Sequence, residues 1–393
     1  MVRERMLVQP FKFDRQNYNY IDKIYIHDKN FFLHYNKSEK KMRYAIQLVI
    51  VCFAIIALYV CNQPNLYSFI LIILGSLCCA LLTDYPASLV EKAGGALSKK
   101  YKIPAVVVGA TFLAIASSAP ELFTSLCGVI FFKSFSIGMS AILWSSLFNT
   151  CMINGVCAIK NTSNIMIDKH LLSRDMTIFV IVLTLFLFFS LDGLLKHYEF
   201  LILISIYIGY IFYLAKDPGA PYKEGEDYSS LFIGIQFFLG LSLIAILCYF
   251  MIQFGETAIH SAYALWEIVI PVSVLGATIY GSGTSFADLM VSMKASEKNE
   301  IGAAISNAIG SNTFDIAIAL GFPGLVYTLI FDCIQINFMS VVMITIMLYI
   351  GIIITSFFLY SGKSLSKREG YVLTSYFSIC LIIQFYVSFK YGY

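Results

Sequence analysis

Three acidic residues lie inside long apolar runs: Glu121, Asp288 and Asp315. Oxygen-bearing residues surround them. Ser117 and Ser118 precede Glu121, Thr284 and Ser285 precede Asp288, and Ser311 and Asn312 precede Asp315, while Ser145 and Asn149 occupy an apolar run of their own. Carboxylate, hydroxyl, amide and main-chain carbonyl oxygens make a hard-cation shell suited to calcium, and no imidazole or thiolate is set among them. A charge at the centre of a membrane-spanning helix costs about 2.5 kcal/mol or more unless a cation or water meets it. Together the three carboxylates balance one Ca²⁺ with one K⁺, or several Na⁺, without leaving a charge uncompensated in low dielectric.

The elements that must position these residues are membrane spans. The chain has 393 residues, of which 59% are hydrophobic and only 13% charged, with a mean hydropathy of +0.77. A soluble domain carries nearer a quarter charged residues. Eleven apolar runs are long enough to cross a bilayer: about 44–61, 66–83, 104–131, 135–158, 176–191, 198–214, 231–254, 267–293, 301–331, 337–360 and 371–389. With the N-terminus placed in the cytoplasm, all of the 27 Lys and Arg except Lys133, Lys196 and Lys390 fall in cytoplasmic segments. That bias predicts N-terminus inside and C-terminus outside. Residues 1–43 read as a basic cytoplasmic tail carrying His27 and His34, and 44–61 as a retained signal anchor rather than a cleaved peptide. The Asn36 and Asn161 sequons fall on the inside, where no glycosylation is expected.

The net charge of +3 shows no basic patch with interleaved aromatics, which argues against nucleic acid as a partner. The ten cysteines lie mostly in apolar runs without a CxxC pair, so they read as buried thiols. The Pro- and Gly-rich stretch 215–230 reads as a short cytoplasmic linker between a first half, 66–214, and a second, 231–393.

The two halves repeat each other. The gapless shift that carries Glu121 onto Asp288 also carries Ile103-Pro104 onto Ile270-Pro271, Gly109-Ala110-Thr111 onto Gly276-Ala277-Thr278 and Ser118 onto Ser285. In the next span, Ser145-Ser146-Leu147-Phe148-Asn149 corresponds to Ser311-Asn312-Thr313-Phe314-Asp315. The first copy runs inside to outside and the second outside to inside. Inverted repeats of this kind mark secondary transporters, with the site at the midplane where they face each other. The predicted fold is an all-α polytopic membrane protein: two inverted-topology repeats of five transmembrane helices plus one extra N-terminal transmembrane helix. Gly109, Gly276 and Gly302 read as close-packing positions. Trp144 and Trp266 read as packing or interfacial residues, and Asp84, Glu256 and Glu267 as solvated residues near span ends.

Ser118-Ala119-Pro120-Glu121-Leu122-Phe123-Thr124-Ser125 and Gly310-Ser311-Asn312-Thr313-Phe314-Asp315-Ile316 resemble the alpha-1 and alpha-2 repeats of the cation/calcium exchanger superfamily, most of all its potassium-dependent sodium/calcium exchangers. The repeats cover about 103–158 and about 267–331. The resemblance implies that Glu121 and Asp288 are paired calcium and sodium ligands and that Asp315 confers potassium dependence. It also implies oxygen shells completed by Asn149, Ser117, Ser118, Ser145, Thr284, Ser285 and Ser311, with carbonyls near Ala114 and Gly281. Alternating access would come from spans at about 44–83 and 198–254 sliding across the repeat core. The sequence departs from the family pattern at Ala116 and Ser117, where glycines are usual, at Ala287 in place of proline, and at Trp144 in place of glycine. The indole is expected to narrow the site or force repacking, and the break beside Asp288 to be softer. No regulatory calcium-binding domain fits the linker.

The expected activity is exchange of Na⁺ for Ca²⁺ with K⁺ co-transported, by a multi-pass protein of the plasma membrane, or alternatively of an intracellular membrane, that uses no cofactor beyond the transported ions. A Ca²⁺/H⁺ or other cation exchanger on the same fold, and a transport-inactive paralogue with a regulatory role, are the alternatives. A channel lacks a symmetric filter, and an enzyme lacks a nucleophile–base set or nucleotide loop.

Overall fold

A computed structural model describes residues 44–56, 65–103, 105–160, 169–216, 228–297, 301–361 and 365–391. The basic tail, the Asn36 and Asn161 sequons and most of the linker lie outside the described residues. Among the described residues the architecture is helical, apart from one short strand pair. Helix α1 covers Tyr44–Ile56, and the residues up to Val49 form a unit of their own. Its apolar run was predicted to continue to 61, beyond the described residues.

Helices α2 (Leu66–Leu82) and α3 (Asp84–Lys100) follow each other with only Thr83 between them. Asn65 starts α2 with a reciprocal cap: its Oδ1 accepts from the Ser68 amide at 2.8 Å, and its own amide donates to Ser68 Oγ at 3.0 Å. Thr83 keeps helical backbone angles (φ −60°, ψ −23°), so the chain passes from the apolar helix into the polar one without a turn. Asp84 opens α3, and Lys99 and Lys100 close it, which matches the helix dipole at both ends. The cytoplasmic segment predicted after the second span is therefore largely helix.

Helix α4 (Ala114–Phe132) ends at Lys133 in the left-handed conformation (φ 52°), and α5 (Phe135–Leu147) returns beside it. After α6 (Asn154–Lys160) come α7 (Lys169–Phe189) and α8 (His197–Lys216). The second half opens on α9, Ser230–Trp266, whose 37 residues outrun the predicted 231–254. At 1.5 Å per residue it is about 55 Å long, against about 30 Å of hydrocarbon. It packs along α2, α3 and α4. Then follow α10 (Phe286–Glu297), α11 (Ile301–Phe314), α12 (Gly321–Phe331), α13 (Phe338–Ser361) and α14 (Lys367–Tyr391). Strands β1 (Leu194–Lys196) and β2 (Cys333–Gln335) pair antiparallel, Leu195 opposite Ile334, and tie a loop of one half to a loop of the other.

Among the described residues, nine helical segments are long and apolar enough to cross a membrane, where the sequence predicts eleven spans. The run at 267–293 is missing from the nine because it is broken into Val272–Leu275, Gly276–Gly283 and α10. Outward faces carry Phe238 and Ile246 on α9, Ile353 and Phe357 on α13, and Ile382 on α14, all exposed. Apolar side chains facing out along whole helices are what lipid contact requires. The buried interior runs from α5 through α7 and α8 to α11, α13 and α14. Of the nine described cysteines, seven are buried, and none of the nine is in a disulfide.

Candidate functional site

The two carboxylate helices are reached through widened turns. Gly109–Leu113 precedes α4, and Gly276–Gly283 precedes α10, both wound with i→i+5 hydrogen bonding. The repeat shift carries the start of the first onto the start of the second. Thr111 donates to the Val107 carbonyl at 2.7 Å, and Thr278, its mate, donates to the Val274 carbonyl at 2.7 Å. The second helix of each repeat widens as well, at Phe148–Ile153 and Asp315–Leu320. Asn149 lies in the first of these, and Asp315 opens the second. Such bulges displace carbonyls from the helix ladder and recur at functional sites.

The carboxylates differ in how the chain is interrupted near them. Pro120 sits inside α4 directly before Glu121, and its missing N–H releases the Ala116 carbonyl from the ladder. Asp288 instead follows a two-residue turn at Thr284 and Ser285, with helix resuming at Phe286. Thr284 keeps helical backbone angles (φ −66°, ψ −40°), and the Ser285 amide still donates to the Gly281 carbonyl at 3.2 Å. Without proline, the chain beside Asp288 passes this turn with its helical hydrogen bonding partly kept, and Gly281 and Gly283 precede the turn.

Glu121 is completely buried. Its Oε1 accepts from Ser285 Oγ at 3.1 Å and lies 3.4 Å from Ser145 Oγ; the two hydroxyls are 2.7 Å apart. The shorter distances describe a chain, Ser145 to Ser285 to Glu121, in which residues of both repeats converge on one carboxylate oxygen. Asn149 joins the second helices of the two repeats, its Nδ2 donating to Ser311 Oγ and to Asn312 Oδ1, both at 3.2 Å. Asn312 Nδ2 donates in turn to Thr150 Oγ1 at 3.0 Å. The structure thus brings Glu121, Ser145 and Ser285 into one group and Asn149, Ser311 and Asn312 into another.

What remains is a set of buried oxygens with no hydrogen-bond partner: Glu121 Oε2, Asp288 Oδ2, both oxygens of Asp315, Asn149 Oδ1 and Ser118 Oγ. Glu121 is near enough to Asp288 and to Asp315 for their charges to interact, and Ser118 faces Asp315 without closing a bond. A buried acceptor without a donor is costly, and a carboxylate more so. Oxygens of this kind are what a bound cation would satisfy. The carboxylates do not form a cage by themselves: among the described residues, no group of three or more His, Cys, Asp or Glu is gathered closely enough to hold a metal. An ion here would be shared between one or two carboxylates and neutral oxygens.

Ser117 and Thr284 bond to their own helices, Ser117 to the Ala114 carbonyl at 3.3 Å and Thr284 to the Tyr280 carbonyl at 2.6 Å and the Gly281 carbonyl at 3.0 Å. A hydroxyl that donates to a carbonyl still turns its lone pairs outward, so this does not remove either from a cation shell. Gly276 and Gly281 are close-packing positions. A Cβ at Gly276 would meet Ser140 Oγ at 1.8 Å, and one at Gly281 would meet the Gly276 and Ala141 carbonyls at 2.6 and 2.7 Å.

Trp144 is buried, packs edge-on against Phe377 of α14 at 6.2 Å, and borders a cavity of about 300 Å³ with Ser140, Ser273 and Gln384. It acts as a packing residue against the last helix. Trp266 stays half-exposed at the end of α9, against Phe69 at 5.0 Å. Glu267 is exposed and Glu256 half-buried. Sequence reasoning passed over Thr150, which holds Asn312, and Tyr207 on α8, which donates to the Ala110 carbonyl. No sequence signal marks Tyr207, because α8 has no counterpart in the motif repeat.

A family model described as "Sodium/calcium exchanger protein" matches residues 66–216 and 232–386. The chain is similar to sodium/potassium/calcium exchanger 1 of Gallus gallus, 36% identical over 142 residues, which is 36% of this chain and 21% of that protein. It is also similar to sodium/potassium/calcium exchanger 1 of Homo sapiens, 36% identical over 118 residues, 30% of this chain and 11% of that protein. These matches span about a fifth or less of the length of the curated relatives. Among solved structures, the sodium-calcium exchanger NCX_Mj superposes with a TM-score of 0.56 at 22% identity, covering 79% of this chain and 98% of that one. The H⁺/Ca²⁺ exchanger CAX superposes with a TM-score of 0.62 at 11% identity, covering 90% and 94%. At these identities the structural likeness is one of fold.

Proposed function

The chain belongs to the sodium/calcium exchanger protein family, and from that premise we propose that it is a secondary active antiporter exchanging Na⁺ for Ca²⁺, with K⁺ carried alongside Ca²⁺. The observation that carries this reading is the set of buried, partnerless oxygens on Glu121, Asp288, Asp315, Asn149 and Ser118. In it, Glu121 and Asp288 hold Ca²⁺ or Na⁺, helped by Ser117, Ser118, Ser145, Thr284 and Ser285 and by carbonyls near Ala114 and Gly281. Asp315, with Asn149, Ser311 and Asn312 beside it, holds K⁺. Hard oxygen ligands of mixed charge suit all three ions.

Packing supports a choice of moving group for alternating access. Helix α9 lies along α2 and α3, and α3 and α9 meet α4, whereas α8 packs with α12 and with Asp315–Leu320. In this reading α2, α3 and α9 slide and α8 stays with the site, which departs from the expected 44–83 and 198–254 by setting aside α1 and α8 and adding α3. The protein would work as a multi-pass protein of the plasma membrane, N-terminus inside and C-terminus outside.

Radiolabelled calcium uptake into sodium-loaded vesicles tests the reading, with and without external potassium, for wild type and Glu121→Gln. Sodium-driven uptake that potassium stimulates and Glu121→Gln abolishes is the expected result. Background uptake by both proteins would overturn it. Uptake driven by a pH gradient in the absence of sodium would assign the buried carboxylates to proton exchange instead.

A further inference from the structure

Tyr207 is almost completely buried on α8. Its hydroxyl donates to the main-chain carbonyl of Ala110, inside the widened turn Gly109–Leu113 that leads to Glu121. Its ring stands edge-on against Phe314 at 5.7 Å and 78°, and Phe314 is the residue before Asp315. The phenol proton is thus committed to the first repeat's turn, while the ring touches the residue before Asp315, whose own oxygens have no hydrogen-bond partner.

The neighbouring tyrosine of α8 is bound to other partners. One turn further along, Tyr210 donates to Asp175 Oδ1 at 2.5 Å, and Arg174 holds the same oxygen at 2.8 Å while its guanidinium lies 5.9 Å from the Tyr210 ring centre. What seats α8 is its contact with α12: Gly324 lets the two helices approach closely, since a Cβ there would meet the Phe200 ring at 2.4 Å. From that seat the Tyr207 hydroxyl reaches the Ala110 carbonyl, and its ring holds the residue before Asp315.

We propose that Tyr207 is a positioning residue for the potassium-binding carboxylate: its hydroxyl holds the first repeat's widened turn at Ala110 while its ring locks Phe314 in place, so that Asp315 is presented to a cation. The inference rests on the assignment of Asp315 to K⁺ made above. It adds that potassium affinity is set from α8, outside the repeat motifs. Tyr207 also couples the first repeat's widened turn to the second repeat's, through one hydroxyl and one ring contact.

The test is potassium activation of calcium uptake into sodium-loaded vesicles, choline replacing potassium, for wild type, Tyr207→Phe and Tyr210→Phe. Loss of one neutral hydrogen bond is worth about fivefold in an equilibrium constant. Tyr207→Phe keeps the ring and should raise the half-saturating potassium concentration about fivefold, with the maximal rate largely kept. Tyr210→Phe removes a buried hydroxyl from the same helix and should leave that concentration unchanged. Equal shifts in both variants would mean general loosening of α8, and no shift in Tyr207→Phe would mean no role for its hydroxyl; either overturns the proposal. A wild type that ignores potassium overturns the assignment of Asp315 itself, and the inference with it. Should Tyr207→Phe fail to transport, thermal unfolding of the purified protein in detergent gives the same reading. The potassium concentration needed to raise the midpoint should then be about fivefold higher than in wild type, and an identical dependence would refute the proposal.

Discussion

The two repeats match Glu121 with Asp288 but set Asn149 opposite Asp315, and they treat their carboxylates differently. Glu121, on the first, sits in a helix that continues through Pro120, and one of its oxygens is met by hydroxyls from both halves. Asp315, on the second, receives nothing at either oxygen, while its mate Asn149 spends both amide protons on Ser311 and Asn312. Symmetry of backbone thus coexists with asymmetry of charge. An amide at one of two equivalent positions can hold the helices together, because it brings its own donors; a carboxylate there cannot, and must wait for a cation. The first repeat supplies more of the fixed scaffolding, and the second more of the unmet charge.

The comparison breaks most plainly at the paired acids. Glu121→Gln and Asp288→Asn should each lower sodium-driven calcium uptake on the order of 100-fold or more, to background, because each removes a charged ligand from a buried site. If either variant transports at the wild-type rate, the symmetric pairing of the two acids is wrong. Asp315→Asn makes the second repeat resemble the first, so potassium stimulation should vanish while sodium–calcium exchange persists; an unchanged potassium response would refute the asymmetry. Ser285→Ala removes the hydroxyl that crosses from the second repeat to Glu121. Half-saturating calcium should change by about tenfold, as expected for a hydrogen bond to a charged group.

Two smaller effects test the backbone. Gly281→Ala places a methyl 2.6 Å from the Gly276 carbonyl, a clash that no side-chain rotation relieves. It should cost about 1–3 kcal/mol and lower the midpoint of thermal unfolding in detergent. Ala287→Pro gives the second repeat the proline that the first has before its acid. Because Ala287 lies in the first turn of α10, where proline is tolerated, stability should change by about 1 kcal/mol or less, and uptake should persist. A large loss there would mean that the turn at Thr284 and Ser285 depends on the residue that follows it.

Apolar run length, the three buried acids and the repeat were all legible in the sequence, because each depends on composition and spacing alone. A carboxylate in an apolar run is anomalous wherever the chain later goes, and self-similarity needs no coordinates. The lengths of α2 with α3 and of α9 were not legible. Hydropathy ends where a helix leaves lipid, whereas the helix itself goes on as long as its polar residues have partners or water. The widened turns were half visible, as glycines and Pro120, but nothing in Phe148–Ile153 announces one.

By itself, then, the sequence determined that this is a helical membrane protein with two related halves and three costly charges, since solvent preference is a property of residues. Only the tertiary structure decided which oxygens are satisfied. That choice depends on helices far apart in the chain: Ser285 reaching Glu121, Asn149 reaching Ser311, and Tyr207 reaching Ala110. Hydrogen bonding acts over about 3 Å, and no pattern along the chain encodes which donors will come that close.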